Sequence, residues 1–244
     1  MRHLADQLEA DLRALGTAER AAQEKRYLKS DLEHLGVTVP ALRKVVVALL
    51  RAQPDFAHDD VLGLARALWK KPIHERRAAA VEVLEFFKNL LLPEDIHLIE
   101  DLLRDSRGWA LVDNLAASVA GDLVERFPTK LASALDRWAK DGDFWLRRSA
   151  LLALLLPLRR GHGDFDRFCR YADAMLVEKE FFVRKAIGWV LRETAKKTPE
   201  RVVAWLLPRA ARASGLTVRE ACKHLPARDK QRLLAAHAMK ATQG

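Results

Sequence analysis

Asp113 is the carboxylate whose neighbours in the sequence point most clearly to chemistry. Trp109 precedes it by four residues, so a helix through this segment places both side chains on one face. Trp189 likewise lies four residues from Lys185, on one face of a later helix. A carboxylate flanked by aromatic rings stabilises a positive charge that develops during a reaction. We therefore predict that Trp109 and Trp189 bracket Asp113 at a functional site.

Each of these residues also has an ordinary structural interpretation. Either tryptophan alone is more typical of a helix core than of a site. Asp113 is also suited to capping a helix or pairing with an arginine such as Arg148. The coincidence of all three residues favours the functional interpretation.

A repeat of helix pairs relates these residues to one another. Five short segments align so that positions 77, 113, 148, 185 and 220 become equivalent, with spacings of 36, 35, 37 and 35 residues. Repeats of this length are typical of helix pairs that stack into a HEAT-like superhelix, whose inner helices line a concave surface. The sequence therefore predicts an all-α, HEAT-like helical-repeat solenoid.

Helical periodicity is nearly continuous along the chain, and no strand pattern stands out. Proline and glycine interrupt it at Pro72, Pro93, Pro128, Gly142, Gly161, Pro199 and Gly215. The predicted helices cover residues 4–15, 18–29, 40–52, 58–69, 72–90, 93–104, 108–125, 129–140, 143–158, 164–178, 180–196, 199–213, 217–224 and 227–238. No long low-complexity linker divides them, so we predict a single domain over residues 1–244.

The aligned repeats form two mostly basic rows. The first row reads Arg77, Asp113, Arg148, Lys185 and Glu220, and the second reads Arg76, Val112, Arg147, Arg184 and Arg219. Helix pairs stack about 10 Å apart, a spacing that suits cations following the phosphates of a duplex. Residues 151–244 also carry 19 Lys and Arg against 9 Asp and Glu, whereas residues 1–150 are nearly neutral. These features predict a concave basic face that binds double-stranded DNA, against the alternative of a solvated charged face.

Several classes of protein and site are disfavoured. The longest apolar stretch, Ala150–Leu158, is far shorter than a membrane helix, and the first residues lack a signal-peptide core. Cys169 and Cys222 are 53 residues apart, and no pair among the eight histidines has metal-ligand spacing. We therefore expect a cytoplasmic, nucleoid-associated monomer without a metal or cofactor.

Several segments carry a resemblance to a known family. They are Lys25–Lys29, Leu35–Val37, Leu68–Trp69, Trp109–Asp113, Trp145–Ala150, Glu180–Glu193 and Arg219–Leu225. These segments resemble the AlkD-type HEAT-repeat alkylpurine DNA glycosylases of the DNA alkylation repair family, and the segment 180–193 is the most specific. The resemblance covers most of the chain.

The resemblance implies roles for individual residues. Trp109, Asp113 and Trp189 correspond to the catalytic cluster of the family, Arg148 to a DNA-backbone contact beside it, and Tyr27 to an aromatic residue near the lesion. The complete set of predicted DNA-binding residues is Tyr27, Arg76, Arg77, Arg147, Arg148, Arg184, Lys185 and Arg219. One position departs from the family pattern, because Gly108 replaces a second tryptophan and leaves room for a bulkier adduct or looser packing.

The implied activity is a metal-independent, monofunctional DNA glycosylase of base excision repair. Purines alkylated at N3 or N7, such as 3-methyladenine and 7-methylguanine, are cationic and leave without protonation, so the enzyme needs no general acid. The resemblance further implies that the base is excised without being flipped out of the helix. Two alternatives remain: a non-catalytic binder of bent or branched DNA, and a protein-scaffolding solenoid. The preferred lesion, small or bulky, is left open.

Overall fold

The computed structural model describes residues 1–239, in which sixteen α-helices and one isolated β-bridge, Glu33 with Ile73, are found. The helices are α1 (Arg2–Leu15), α2 (Ala18–Leu28), α3 (Val39–Arg51), α4 (His58–Trp69), α5 (His74–Phe86), α6 (Ile96–Asp105), α7 (Trp109–Asn114), α8 (Gly121–Arg126), α9 (Ala132–Trp138), α10 (Phe144–Leu152), α11 (Leu155–Arg160), α12 (Phe165–Met175), α13 (Phe181–Thr194), α14 (Pro199–Leu206), α15 (Gly215–Ala221) and α16 (Ala227–Ala238). The predicted all-α class is confirmed. No helix within residues 1–239 combines the length and apolar character that crossing a membrane requires.

Short polar side chains cap the starts of several helices. Each cap accepts a hydrogen bond from a backbone N–H that would otherwise lack a partner in the first turn. The caps are Thr17, Thr38, Asp143, Asp164 and Ser214. At the other end of α11, Gly161 terminates the helix in the left-handed conformation (φ 94°), which glycine adopts without steric cost.

Two predicted helices are divided in the structure. The predicted helix 143–158 becomes α10 and α11, because the ring of Pro157 is incompatible with a helical carbonyl at Ala153, four residues earlier. The chain leaves the helical path at Ala153 and Leu154. The predicted helix 108–125 is α7 and α8 joined by a π-helical segment, Leu115–Ala120. Apolar periodicity alone does not distinguish a π segment from the α-helix around it.

The described residues group into two compact units, 1–115 and 116–239, and the single domain predicted over residues 1–244 stays a prediction. In the first unit, α1 packs against α3 and α4, and α5 packs against α3, α4 and α7. Its core includes the fully buried Leu8, Val46, Leu64 and Leu84. In the second unit, α13 packs against α10, α11 and α15.

The repeat spacing recurs in side-chain contacts. Within residues 1–239, hydrogen bonds join four pairs of residues that are 35 or 36 positions apart: Trp69 with Asp105, Asp136 with Tyr171, Glu125 with Arg160, and Asp173 with Arg209. A constant separation of this size arises when each helix pair packs on the equivalent pair before it. The helical-repeat class is therefore confirmed, whereas assignment to the HEAT type stays a prediction.

Candidate nucleic-acid interface

Helix α7 holds the proposed carboxylate and its neighbouring ring. Trp109 is the first residue of α7 and Asp113 follows one turn later, and both residues are half-buried. Gly108 precedes the helix in an extended conformation (φ −178°) that any residue adopts, so the backbone does not require glycine here. The π-helical segment begins two residues after Asp113, and such segments are frequent at functional sites.

Tyr27 and Trp109 form an aromatic pair in the first unit. Their ring centroids lie 6.0 Å apart and their planes are nearly perpendicular, at 87°. Tyr27 is 73% exposed, an unusual environment for a large aromatic residue. The structure thus brings together Tyr27 and Trp109, the two unit-1 aromatic residues that the sequence singled out.

A cavity of about 250 Å³ opens beside Trp109. Its lining includes Leu28, Asp31, Pro72, His74, Arg77 and the segment Asp105–Leu111. A Cβ atom added at Gly108 would meet no atom closer than 3.9 Å, so the missing side chain corresponds to open space. Gly108 itself lines this cavity next to Trp109.

Arg107 is a candidate DNA contact that the sequence analysis missed. It adopts a left-handed backbone conformation (φ 49°), which costs energy for a residue with a side chain. Its side chain is 72% exposed, and its nearest carboxylate, Asp105, is 3.9 Å away. The available sequence signal was only that a basic residue stands two positions before Trp109.

In the second unit, Trp189 packs beside Arg148. The guanidinium carbon of Arg148 lies 6.0 Å from the ring centroid of Trp189 and 5.7 Å from that of Phe182. Arg148 also donates a hydrogen bond of 2.5 Å to the carbonyl of Phe182. Trp189 itself is half-buried. Cation–π contact with Arg148 orients the indole of Trp189 and the guanidinium relative to each other. Phe182, which completes this cluster, was not among the predicted site residues.

Three of the predicted DNA-binding arginines lie inside the protein. Arg76, Arg77 and Arg148 are 2%, 7% and 1% exposed, so the prediction that they lie on an open face is wrong. Arg76 bonds the carbonyls of Ala67 and Leu68 and pairs with Asp6 and Glu9. These partners satisfy a guanidinium that burial would otherwise leave unpaired.

Arg77 has a comparable set of partners. It pairs with the carboxylate of Asp105 at 2.7 Å, donates to the carbonyl of the same residue at 2.8 Å, and lies 5.1 Å from the ring centroid of Trp69. Trp69 in turn donates to Asp105 at 3.0 Å. Arg77 therefore fixes the end of α6, immediately before the segment that leads into α7.

Arg147 and Arg184 are half-buried and hold the segment before α13. Arg147 pairs with the Glu178 carboxylate at 2.8 Å and donates to the Asp141 carbonyl at 2.6 Å. Arg184 donates to the Glu178 carbonyl at 2.5 Å. Both side chains have protein partners, and each retains some solvent exposure.

Lys185 and Arg219 are the exposed members of the two rows. The Lys185 ammonium lies 5.9 Å from the ring centroid of Phe181, which is itself 52% exposed. The acidic member of the first row, Glu220, pairs with Arg192 at 2.6 Å and with Lys223 at 2.5 Å. Its negative charge is therefore neutralised locally, leaving Lys185 and Arg219 as the cations most available to a polyanion.

Comparisons with known proteins identify the family and the fold of the chain. A family model described as DNA alkylation repair enzyme matches residues 8–225. No curated protein sequence matches the chain. Among solved structures, a predicted DNA alkylation repair enzyme from Enterococcus faecalis is 22% identical with a TM-score of 0.77, covering 87% of this chain and 97% of that one.

Two structures from Streptococcus mutans also share the fold. AlkD2 is 18% identical with a TM-score of 0.60, covering 86% of this chain and 99% of that one. The protein smu.31 is 18% identical with a TM-score of 0.58, covering 76% of this chain and 100% of that one. At these identities the structural likeness shows the fold, whereas the family model matches most of the sequence. The chain belongs to the DNA alkylation repair enzyme family.

Proposed function

We propose that the protein is a DNA glycosylase that excises cationic N3- or N7-alkylated purines from duplex DNA. The observation that carries this proposal is the half-buried Asp113 one turn after Trp109, whose ring contacts the exposed Tyr27. Membership of the alkylation repair family supports DNA as the partner. We further propose that it acts as a monomer in the cytoplasm, on the nucleoid, within base excision repair.

The chemistry assigned to Asp113 follows from the charge of the substrate. A cationic base leaves without a proton, so the enzyme has only to stabilise the oxocarbenium sugar and admit water. A carboxylate about 4 Å from that charge contributes roughly 4 kcal/mol at an effective dielectric constant near 20, equivalent to about 10³-fold in rate. Asp113 also accepts a hydrogen bond from the attacking water in this proposal.

The aromatic residues are assigned to recognition of the charged nucleotide. Cation–π attraction of about 0.5–2 kcal/mol favours an alkylated nucleotide over a neutral one. Trp109 and Trp189 supply this attraction, and Tyr27 contacts the DNA near the lesion. The exposed Lys185 and Arg219 bind phosphates, and Arg147 and Arg184 contribute through their partly exposed edges.

Product analysis tests the proposed activity. Methylated duplex DNA is incubated with the protein and a chelator at a temperature well below the melting temperature. Free 7-methylguanine or 3-methyladenine is expected in solution, with abasic but uncleaved strands left behind. A non-catalytic binder of DNA would retard the same duplex and release no base.

The salt dependence of DNA binding tests the exposed cations. The logarithm of the binding constant falls with the logarithm of the salt concentration, with a slope of about −0.9 for each phosphate contact. Replacing Lys185 by Ala should therefore make this slope shallower by about one unit. Lys130→Ala is a matched control, because the Lys130 ammonium lies 6.0 Å from the Phe127 ring centroid in a similar exposed setting. A wild-type slope near zero would contradict phosphate binding altogether.

Trp189 is expected to matter for excision more than for stability. Because it is half-buried, Trp189→Ala should lose most of the excision rate with near-normal melting, while Trp189→Phe should keep substantial activity through its remaining ring. Trp138 is fully buried and serves as the control. Trp138→Ala should cost about 3–5 kcal/mol of stability, yet the fraction that stays folded should excise normally. Normal excision by folded Trp189→Ala would refute the assigned role.

A further inference from the structure

Three side chains from separate elements of the first unit converge on one point. Glu24 comes from α2, His34 from the segment between α2 and α3, and Glu75 from α5. One ligand atom of each, a ring nitrogen or a carboxylate oxygen, lies within 4.8 Å of the other two. The sequence predicts no metal site here, because these residues follow no recognised ligand spacing.

His34 is the least explained member of this group. It is only 9% exposed, and neither of its ring nitrogens has a hydrogen-bond partner among residues 1–239. Its ring stacks on His74 with centroids 4.5 Å apart and planes 10° apart, so packing fixes its orientation. Buried ring nitrogens normally have a hydrogen-bond partner or coordinate a metal. A ligand supplied from outside the chain would satisfy His34.

Glu75 is held rigidly beside His34. It is 1% exposed and accepts hydrogen bonds from the N–H groups of Leu35, Gly36 and Val37, at 2.9, 2.7 and 3.2 Å. These bonds orient the carboxylate, as outer partners commonly do for metal-binding groups. Oε1 accepts from both Gly36 and Val37, whereas Oε2 accepts only from Leu35. Because a carboxylate oxygen has two lone-pair sites, Oε2 keeps one site for a metal ion.

The second carboxylate adds unfavourable charge unless a cation is present. Glu24 receives a hydrogen bond from Arg20 at 2.5 Å, but the ion pairs of residues 1–239 give Glu75 no Lys or Arg partner. Two neighbouring carboxylates repel each other, and a cation between them relieves that repulsion. A cavity of about 170 Å³ adjoins the two carboxylates, and its lining includes Glu24, Glu75, His74 and Arg43.

We propose that Glu24, His34 and Glu75 bind one divalent transition-metal ion of the zinc class. One imidazole nitrogen with two carboxylate oxygens suits Zn²⁺, whereas Mg²⁺ and Ca²⁺ prefer oxygen ligands throughout. Three protein ligands leave a fourth position for water. The ion joins α2, the segment before α3 and α5. This role is structural, and the excision chemistry proposed above does not use the ion.

Zinc binding by the tag-free, chelator-stripped protein tests this site independently of any excision assay. Calorimetric titration should give one Zn²⁺ per chain, and zinc at about 100 times its Kd should raise the melting temperature by about 5–10 °C. His34→Ala and the milder Glu24→Gln, at a partly exposed position, should each weaken binding by about 100-fold. His97→Ala, at an exposed histidine of the same unit, should leave it unchanged.

Replacing zinc by cobalt(II) tests whether a cysteine thiolate is among the ligands. The Co²⁺-loaded protein should show no thiolate-to-metal charge-transfer band, because Cys169 and Cys222 are not ligands in this site. Absence of stoichiometric zinc binding in the wild type would overturn the proposal. So would a thiolate band, or a folded His34→Ala or Glu24→Gln variant that binds zinc as tightly as the wild type.

Discussion

Asp113→Asn should lower the rate of base excision by about 10²–10³-fold. The amide keeps the shape of the side chain and removes the charge that is proposed to face the oxocarbenium sugar. The loss should appear in the single-turnover rate, because the interaction is made in the transition state and not in the bound ground state. Melting should change little, since the residue is half-buried and its size is kept.

DNA affinity separates this effect from a general defect. Removing a negative charge from a surface that binds phosphates should leave affinity unchanged or slightly improved. Asp101→Asn, at an exposed carboxylate on α6, is the matched control and should excise at the wild-type rate. Excision by Asp113→Asn at the wild-type rate would show that Asp113 is not catalytic.

Arg76→Met should destabilise the protein by about 3–5 kcal/mol, because it removes one partner of a buried ion pair. Arg76 is 2% exposed and bonds Glu9 at 2.5 Å and the carbonyls of Ala67 and Leu68. For a chain of this size the melting temperature should fall by about 6–20 °C. Methionine fills the volume of the aliphatic stem but satisfies none of these acceptors.

The dependence of this effect on pH follows from Glu9. Burial alone would raise the pKa of Glu9, but hydrogen bonds from Lys71, Arg76 and Arg13 outweigh it and lower the pKa to about 2. Because the pKa of Glu9 is lower in the folded state, its ion pairs stabilise the fold at pH values above the ordinary pKa of 4.5. This stability is lost as the pH falls from 4.5 towards 2. The stability of Arg76→Met should therefore fall less steeply than that of the wild type over this range.

Arg13→Met provides the control for Arg76. Arg13 bonds the same carboxylate, Glu9, but its side chain is 45% exposed, so its loss should cost less than about 1 kcal/mol. Neither variant should alter the salt slope of DNA binding if Arg76 is purely structural. A shallower slope in Arg76→Met, with unchanged stability, would restore Arg76 to the DNA-binding surface.

The sequence was informative about local structure and the repeat. Apolar periodicity with Pro and Gly breaks located most helices. The hydrogen bond between Trp69 and Asp105 joins residues 36 positions apart, which matches the predicted repeat length. Helix spacing also placed Trp109 and Asp113 one turn apart on α7. These features depend on residues within a few turns of each other or on a regular repeat, both of which are visible in a single sequence.

Burial of the arginines could not be predicted in the same way. Arg76 is satisfied by Asp6 and Glu9, acids 70 and 67 residues away on α1, and no local pattern pairs them. A basic row on a helix therefore looks the same whether its members meet phosphates or distant carboxylates. Likewise, His34 and Glu75 converge from separate elements without any ligand spacing.

The central claim, excision driven by the charge of the lesion, is tested most directly by comparing cationic and neutral lesions. Two duplexes of the same sequence carry either a single 7-methylguanine or a single hypoxanthine, and single-turnover release of the base is measured for each. Because no general acid is proposed, the protein should release 7-methylguanine rapidly. It should release hypoxanthine no faster than the uncatalysed reaction does. Comparable release of both bases, or of neither, would contradict the proposed mechanism.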